Sequence, residues 1–181
     1  MRGPGHHATG FISGWIATAI LNKQVGIPFF VSILAVPLSW WGGVLPDSGE
    51  FFLGFRWVRH RTVTHWVPLW AIILGFGVYG AFPETLVGMC LQSATVGFAG
   101  GGLTHLLFDW PNPQGIPFLT PWKRHTLNWW NSGRREIYLI TGWALIASIF
   151  WAPEINQFSV TAMELQEKTS GLVREFSPEQ F

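Results

Sequence analysis

Residues 86–109 read LVGMCLQSATVGFAGGGLTHLLFD, and the fold turns on how that stretch is read. From Leu86 to Phe108 it carries no charge. A bilayer core about 30 Å thick asks for about 20 apolar residues in a helix, so this run is long enough to span one. Small residues are spread along it. Gly97 and Gly101 form a G-x-x-x-G pair, a spacing that lets two helix backbones approach closely. The simpler reading of that pair is packing inside the molecule. The stretch ends with His105 and Asp109, placed i and i+4 and therefore on one helix face, where two side chains can hold one ion together.

Working outward, four more apolar segments can be drawn: His6 to Leu21, Ile27 to Leu45, Trp66 to Phe82 and Glu136 to Trp151. The segments at 27–45, 66–82 and 86–108 meet the length a span requires. Those at 6–21 and 136–151 are marginal and need tilt or a thinned bilayer. Composition agrees with a membrane setting. Charged residues are 12% of the chain, against about 25% in soluble domains. Twelve Trp and fifteen Phe suit membrane–water interfaces. The single cysteine, Cys90, excludes an internal disulfide framework and a cysteine-rich zinc site, and reads as apolar packing. A net charge of +1 without a long basic run gives no nucleic-acid arm. The first residues lack a small-x-small cleavage site and are expected to stay on the mature chain. The expected fold is all-α: a polytopic bundle of about five membrane-embedded helices over residues 1–153, then a polar tail at 154–181. Residues 158–176 of that tail could form an amphipathic surface helix.

Alternating spans put the N-terminus and the loops 46–65 and 109–135 on one side. That side holds Arg2, Arg56, Arg59, Arg61, Lys123, Arg124, Arg134 and Arg135, eight of the eleven Lys and Arg residues. By the positive-inside rule it is the cytoplasmic side. All six histidines fall there too: His6, His7, His60, His65, His105 and His125. So do Asp47 and Asp109. His6, Asp47, His60, His65, His105 and Asp109 thus gather at four helix ends. Histidine and aspartate are ordinary ligands of zinc and similar ions. A lone interfacial His is more often a polar tip at the headgroup level, and His7 and His125 fit that description. Asp47, after Leu45-Pro46, could equally cap a turn. The basic residues could act only as topology determinants, and Arg59 or Arg61 could neutralise the carboxylates if no ion does.

The ordered set Gly5-His6, Leu45-Pro46-Asp47, His60-Arg61-x-x-Thr64-His65 and Gly102-x-Thr104-His105-x-x-x-Asp109, with the following Pro113-x-Gly115-x-Pro117-x-Leu119-x-Pro121, resembles the YdjM-like family of bacterial inner-membrane proteins. The resemblance covers about residues 1–122. It implies a metal-dependent hydrolase, distantly similar to zinc-dependent phospholipase C and P1-type nucleases. It also implies the ligand set His6, Asp47, His60, His65, His105 and Asp109, holding one to three divalent ions, zinc foremost. The family commonly has a second Asp two residues after the first. Here Gly49 stands in that place with Glu50 beside it, and Glu50 is the candidate substitute. The catalytic groups expected on this reading are Asp47, His65 and Glu50.

Arg59, Arg61, Lys123 and Arg124 are candidates to bind a phosphate group. The expected function is therefore hydrolysis of a phosphoester such as a phospholipid, at the cytoplasmic face of the inner membrane. Expected partners are membrane lipids and a protein docked on the C-terminal tail, with no nucleic acid. A non-catalytic scaffold with a structural metal is the alternative. Metal transport fits less well, because no ionisable residue sits in the middle of a span. Substrate, metal identity and oligomeric state stay open.

Overall fold

A computed structural model describes residues 1, 3–52, 54–133 and 136–153. The chain forms two compact units, Met1–Ala147 and Ser148–Phe181. The tail expected at 154–181, with its amphipathic helix, lies outside the described residues, as do Arg2, Arg134 and Arg135.

The structure is mostly helical. In chain order it contains α1 (Gly3–Ile20), α2 (Phe29–Ser32), α3 (Ala35–Gly42), α4 (Leu45–Ser48), α5 (Val67–Tyr79) and α6 (Leu86–Asp109). A last helix, α7, runs over Glu136–Pro153. Two small hairpins join the helices. In one, β1 (Phe51–Phe52) pairs antiparallel with β2 (Phe55–Arg56), and in the other β3 (Ile116–Pro117) pairs with β4 (Arg124–His125). The loops 46–65 and 109–135 are thus partly strand, an addition to the all-helical expectation.

α6 is the central helix and packs against α1, α3 and α5. Small residues make that possible. A methyl group on Gly97 or Gly101 would meet the backbone of α3 at Ala35 or Ser39. The G-x-x-x-G pair therefore packs within the molecule. α1 approaches α3 in the same way at Gly10 and Gly14. Hydroxyl groups on the buried faces find partners on backbone carbonyls: Thr9 on Gly5, Ser13 on Thr9, Thr18 on Gly14 and Ser39 on Gly10, at 2.7–3.0 Å. Close backbone packing with satisfied hydroxyls is how helices associate where apolar burial gives little driving force.

Among the described residues two helices, α6 and α7, are long and apolar enough to cross a membrane. This corrects the expected lengths. The segment 27–45 gives a shorter helix, Phe29–Gly42, whose regular bonding is interrupted at Ile33 and Leu34, because Pro37 has no N–H to offer the Ile33 carbonyl. α5 has only 13 residues, about 20 Å of rise. The segment at 136–151, expected to be marginal, instead yields a candidate span of 18 residues in which Ala147 is the one buried residue. Five spans are not seen among the described residues. The apolar core lies in two clusters. Ala17, Leu21, Ile27, Val31, Ala35 and Val96 form one. Trp70, Leu106 and Ile116 form the other, next to the polar end of α6.

Candidate metal centre

Five of the six expected ligands meet at one end of the bundle. His6 enters from the first turns of α1, Asp47 from α4, and His105 and Asp109 from the last turns of α6. His65 closes a short 3₁₀ turn, Val63–His65, just before α5. His6, His65, His105 and Asp109 are all at most 1% exposed. Asp47 is the open edge, with 45% of its side chain exposed.

The imidazole orientations are fixed by what lies behind them. His105 Nδ1 donates to the Gly43 carbonyl at 2.7 Å, because a carbonyl can only accept. In the neutral ring, His105 Nε2 then carries a lone pair. It faces Asp109 Oδ2 at 3.6 Å and Asp47 Oδ1 at 3.7 Å, both of which are acceptors. His65 Nε2 lies 3.2 Å from Asp47 Oδ1 and 4.0 Å from Asp109 Oδ2. His6 Nε2 lies 3.3 Å from Asp109 Oδ1. None of these three buried Nε2 atoms makes an aligned hydrogen bond. The His6 and His105 rings stack at 3.7 Å, and the His65 ring stands edge-on to His105 at 5.2 Å.

Unpaired buried polar atoms are costly, on the order of 1–3 kcal/mol each, so three of them converging on two carboxylates call for a common partner. A cation is the partner that lone pairs and carboxylates share. Two donor sets have ligand atoms within 4.8 Å of one another: His6, His105 and Asp109, and Asp47, His65 and His105. In a tetrahedral site with bonds of about 2.0–2.1 Å, ligand atoms stand about 3.3–3.4 Å apart, close to several of the separations here. The residues present therefore fit a divalent ion.

Burial lowers the pKa of His65 by disfavouring the imidazolium, and the neighbouring His105 adds to this, against the raising effect of Asp47. Partial burial of Asp47 works to raise its pKa. The interaction with His65 overcomes that, and the carboxyl is held below the ordinary range. Both shifts leave the groups in the forms a metal requires: neutral imidazole and ionised carboxylate.

The other expected residues are placed as follows. His60 stands outside the donor cluster, with Nδ1 bonded to both Glu50 oxygens at 2.8–2.9 Å. Glu50 is fully buried, but behind the cluster. It accepts the Arg61 backbone N–H at 2.9 Å and lies 3.5 Å from His65 Nδ1. His65 Nδ1 hydrogen-bonds Thr64 Oγ1 at 3.2 Å, and Thr64 donates to Glu50 Oε1 at 3.4 Å, so the carboxylate orients this candidate ligand through a hydroxyl. Arg61 is buried, pairs with Asp109 Oδ2 and donates to the Gly115 carbonyl at 2.9 Å. Nη1 and Nη2 thus hold the α6 end, while the buried Nε makes no hydrogen bond among the described residues. Arg59, Lys123 and Arg124 are exposed. Arg124 donates to the His60 carbonyl at 2.7 Å. The His7 ring lies tilted against Trp40 at 5.0 Å, and His125 accepts from Trp110 Nε1 at 3.0 Å, so neither joins the cluster.

Sequence reasoning missed two supports. Asn112 Nδ2 donates to Asp109 Oδ1 at 2.9 Å, and its i+3 spacing from Asp109 was a usable signal. The Met1 backbone nitrogen lies 2.6 Å from the same oxygen, which no spacing rule would have shown.

No curated protein and no solved structure matches the chain. The family model of the YdjM inner membrane protein matches residues 1–166, and the chain belongs to that family.

Proposed function

We propose that this protein is a membrane-bound, metal-dependent hydrolase of a phosphoester, with its centre at the cytoplasmic face. The observation that supports it best is the set of three buried imidazole Nε2 atoms that face Asp47 and Asp109 without an aligned hydrogen bond among the described residues. His6, His65, His105, Asp47 and Asp109 would hold the ion, with zinc the first choice for such a nitrogen and oxygen set. A divalent ion bound there would supply Lewis-acid polarisation and a water acidic enough to react near neutral pH.

The chain's own residues set the rest. The Gly43 carbonyl fixes the tautomer of His105, and Thr64 Oγ1, itself donating to Glu50, accepts from His65 Nδ1, so Glu50 is a positioning residue acting through Thr64 in this reading. Arg61 holds Asp109 in place and offsets part of its charge. Asp47 is the one donor open to solvent and so marks the side from which a substrate would enter. Both donor sets include His105 Nε2, whose single lone pair serves one ion, because Nδ1 is used by Gly43. One ion per chain is the expected stoichiometry.

A structural metal site in a scaffold protein is the second reading. It is favoured by the five donors, enough to fill a four-coordinate ion without a water. Turnover of bis-(4-nitrophenyl) phosphate and of a fluorescent phospholipid by purified protein, with zinc or manganese and with chelator, separates the two. Chelator-sensitive hydrolysis lost on Asp47→Asn supports the enzyme. Tightly held metal with no hydrolysis of either compound leaves the structural reading.

A further inference from the structure

Three cavities next to the centre are lined by none of the five donors. The first, about 500 Å³, is lined by Trp110, Phe118, Leu119, Lys123, Arg124 and His125. A second, about 340 Å³, runs along α6 by Leu103, Leu107 and Trp143. A third, about 410 Å³, runs along α5 by Pro68, Ala71 and Ile72. Phe118 borders all three, and Val67 borders the second and third. Trp110 also borders the first and second and Leu119 the first and third, so a cation-lined mouth adjoins two apolar cavities, a forked arrangement with Phe118 common to all.

We propose that this fork is a binding site for an anionic diacyl lipid, with its headgroup at Lys123, Arg124 and His125 and its acyl chains along α5 and α6. The charge and shape support this occupant. The mouth has cationic and imidazole donors, and the described residues lining all three cavities include no carboxylate. Two apolar branches match two chains. Around the mouth, Leu119, which lines it, and Trp122, next to Lys123 in the chain, are 81% and 82% exposed. Aromatic side chains held outward beside cations are typical of the level of lipid headgroups. Arg124 also bonds the His60 carbonyl, which ties the mouth to the loop that carries His65. The site stands whether or not the metal centre turns over a substrate.

The test is lipid retention by the full-length protein in neutral detergent, read by native mass spectrometry. The probes are dioleoyl phosphatidylglycerol and dioleoyl phosphatidylcholine at equal concentration. The proposal expects preferential retention of the anionic lipid. The double variant Lys123→Gln/Arg124→Gln should reduce that preference by roughly tenfold, since each cation near a lipid surface contributes a few-fold. Lys23→Gln should leave it unchanged. Leu119→Asp should lower retention of both lipids. Retention should persist in chelator, which separates this site from the metal centre. Equal retention of the two lipids, an unchanged preference in the double variant, or retention only in metal-loaded protein would overturn the proposal. So would displacement of the lipid by millimolar inorganic phosphate, which would make the mouth a site for the free anion.

Discussion

The carbonyl of Gly43 takes the Nδ1 proton of His105 across 62 positions of chain, at 2.7 Å, and so turns the other ring nitrogen toward Asp47 and Asp109. The bond joins the C-terminal end of α3 to the last turns of α6. The state of the centre therefore depends on how closely those two helices pack.

His105→Ala should abolish metal binding. Elemental analysis is expected to give one divalent ion per chain for the parent protein and a value near zero for the variant. The parent should also gain thermal stability on metal addition, up to about 4 kcal/mol when free metal exceeds the dissociation constant a thousandfold. The variant should gain almost none. An equal metal-dependent shift in both proteins would rule out His105 as a ligand.

Two neighbouring glycines should behave differently. Gly101→Ala places a methyl group against the Ser39 carbonyl and must push α3 from α6, at a cost of about 1–3 kcal/mol. It should also lower metal occupancy, because Gly43 moves with α3. Gly100 has open space around it, so Gly100→Ala should be neutral or stabilising by up to about 1 kcal/mol. Thermal unfolding in detergent together with metal content reads both effects.

Arg61 is buried against Asp109, and its φ is +56°, in the left-handed region. Arg61→Ala leaves a buried carboxylate without its guanidinium and should cost about 3–5 kcal/mol in metal-free protein. Arg61→Gly loses the same pair but relieves the backbone, so it should recover about 1–2 kcal/mol of that loss. Added metal should narrow the gap between these variants and the parent. The melting temperatures of the three proteins, with and without metal, test the order.

Acid should destabilise the metal-free protein. The His65 pKa is lower folded than its ordinary 6.5, so below that value the unfolded chain binds the proton more readily. Stability then rises with pH across the window between the folded pKa and 6.5, and is flat above it as far as this group is concerned. Asp47 has the same sign at lower pH, since its depressed pKa makes its contribution present above about 3.8 and lost below. Melting temperature between pH 5 and 8 should therefore climb and level off near neutrality, and His65→Gln should flatten the upper part of the climb. A parent curve that falls with rising pH would contradict this.

The sequence alone determined that the chain is helical, apolar and suited to a membrane, and that His105 and Asp109 share a face. It also drew His6, Asp47 and His65 into the candidate set. Those readings rest on local properties, namely run length, helical spacing and residue chemistry at segment ends. The tertiary structure decided what spacing could not. It interrupted the helix in segment 27–45, where Pro37 could already be seen, and made 136–153 the second candidate span. It brought Glu50 behind His65, set His60 outside the cluster and committed Arg61 to Asp109, 48 positions away. Each of these depends on where a loop lands after helices have closed on glycine contacts such as Gly101 against Ser39, and that placement is a property of packing between distant segments.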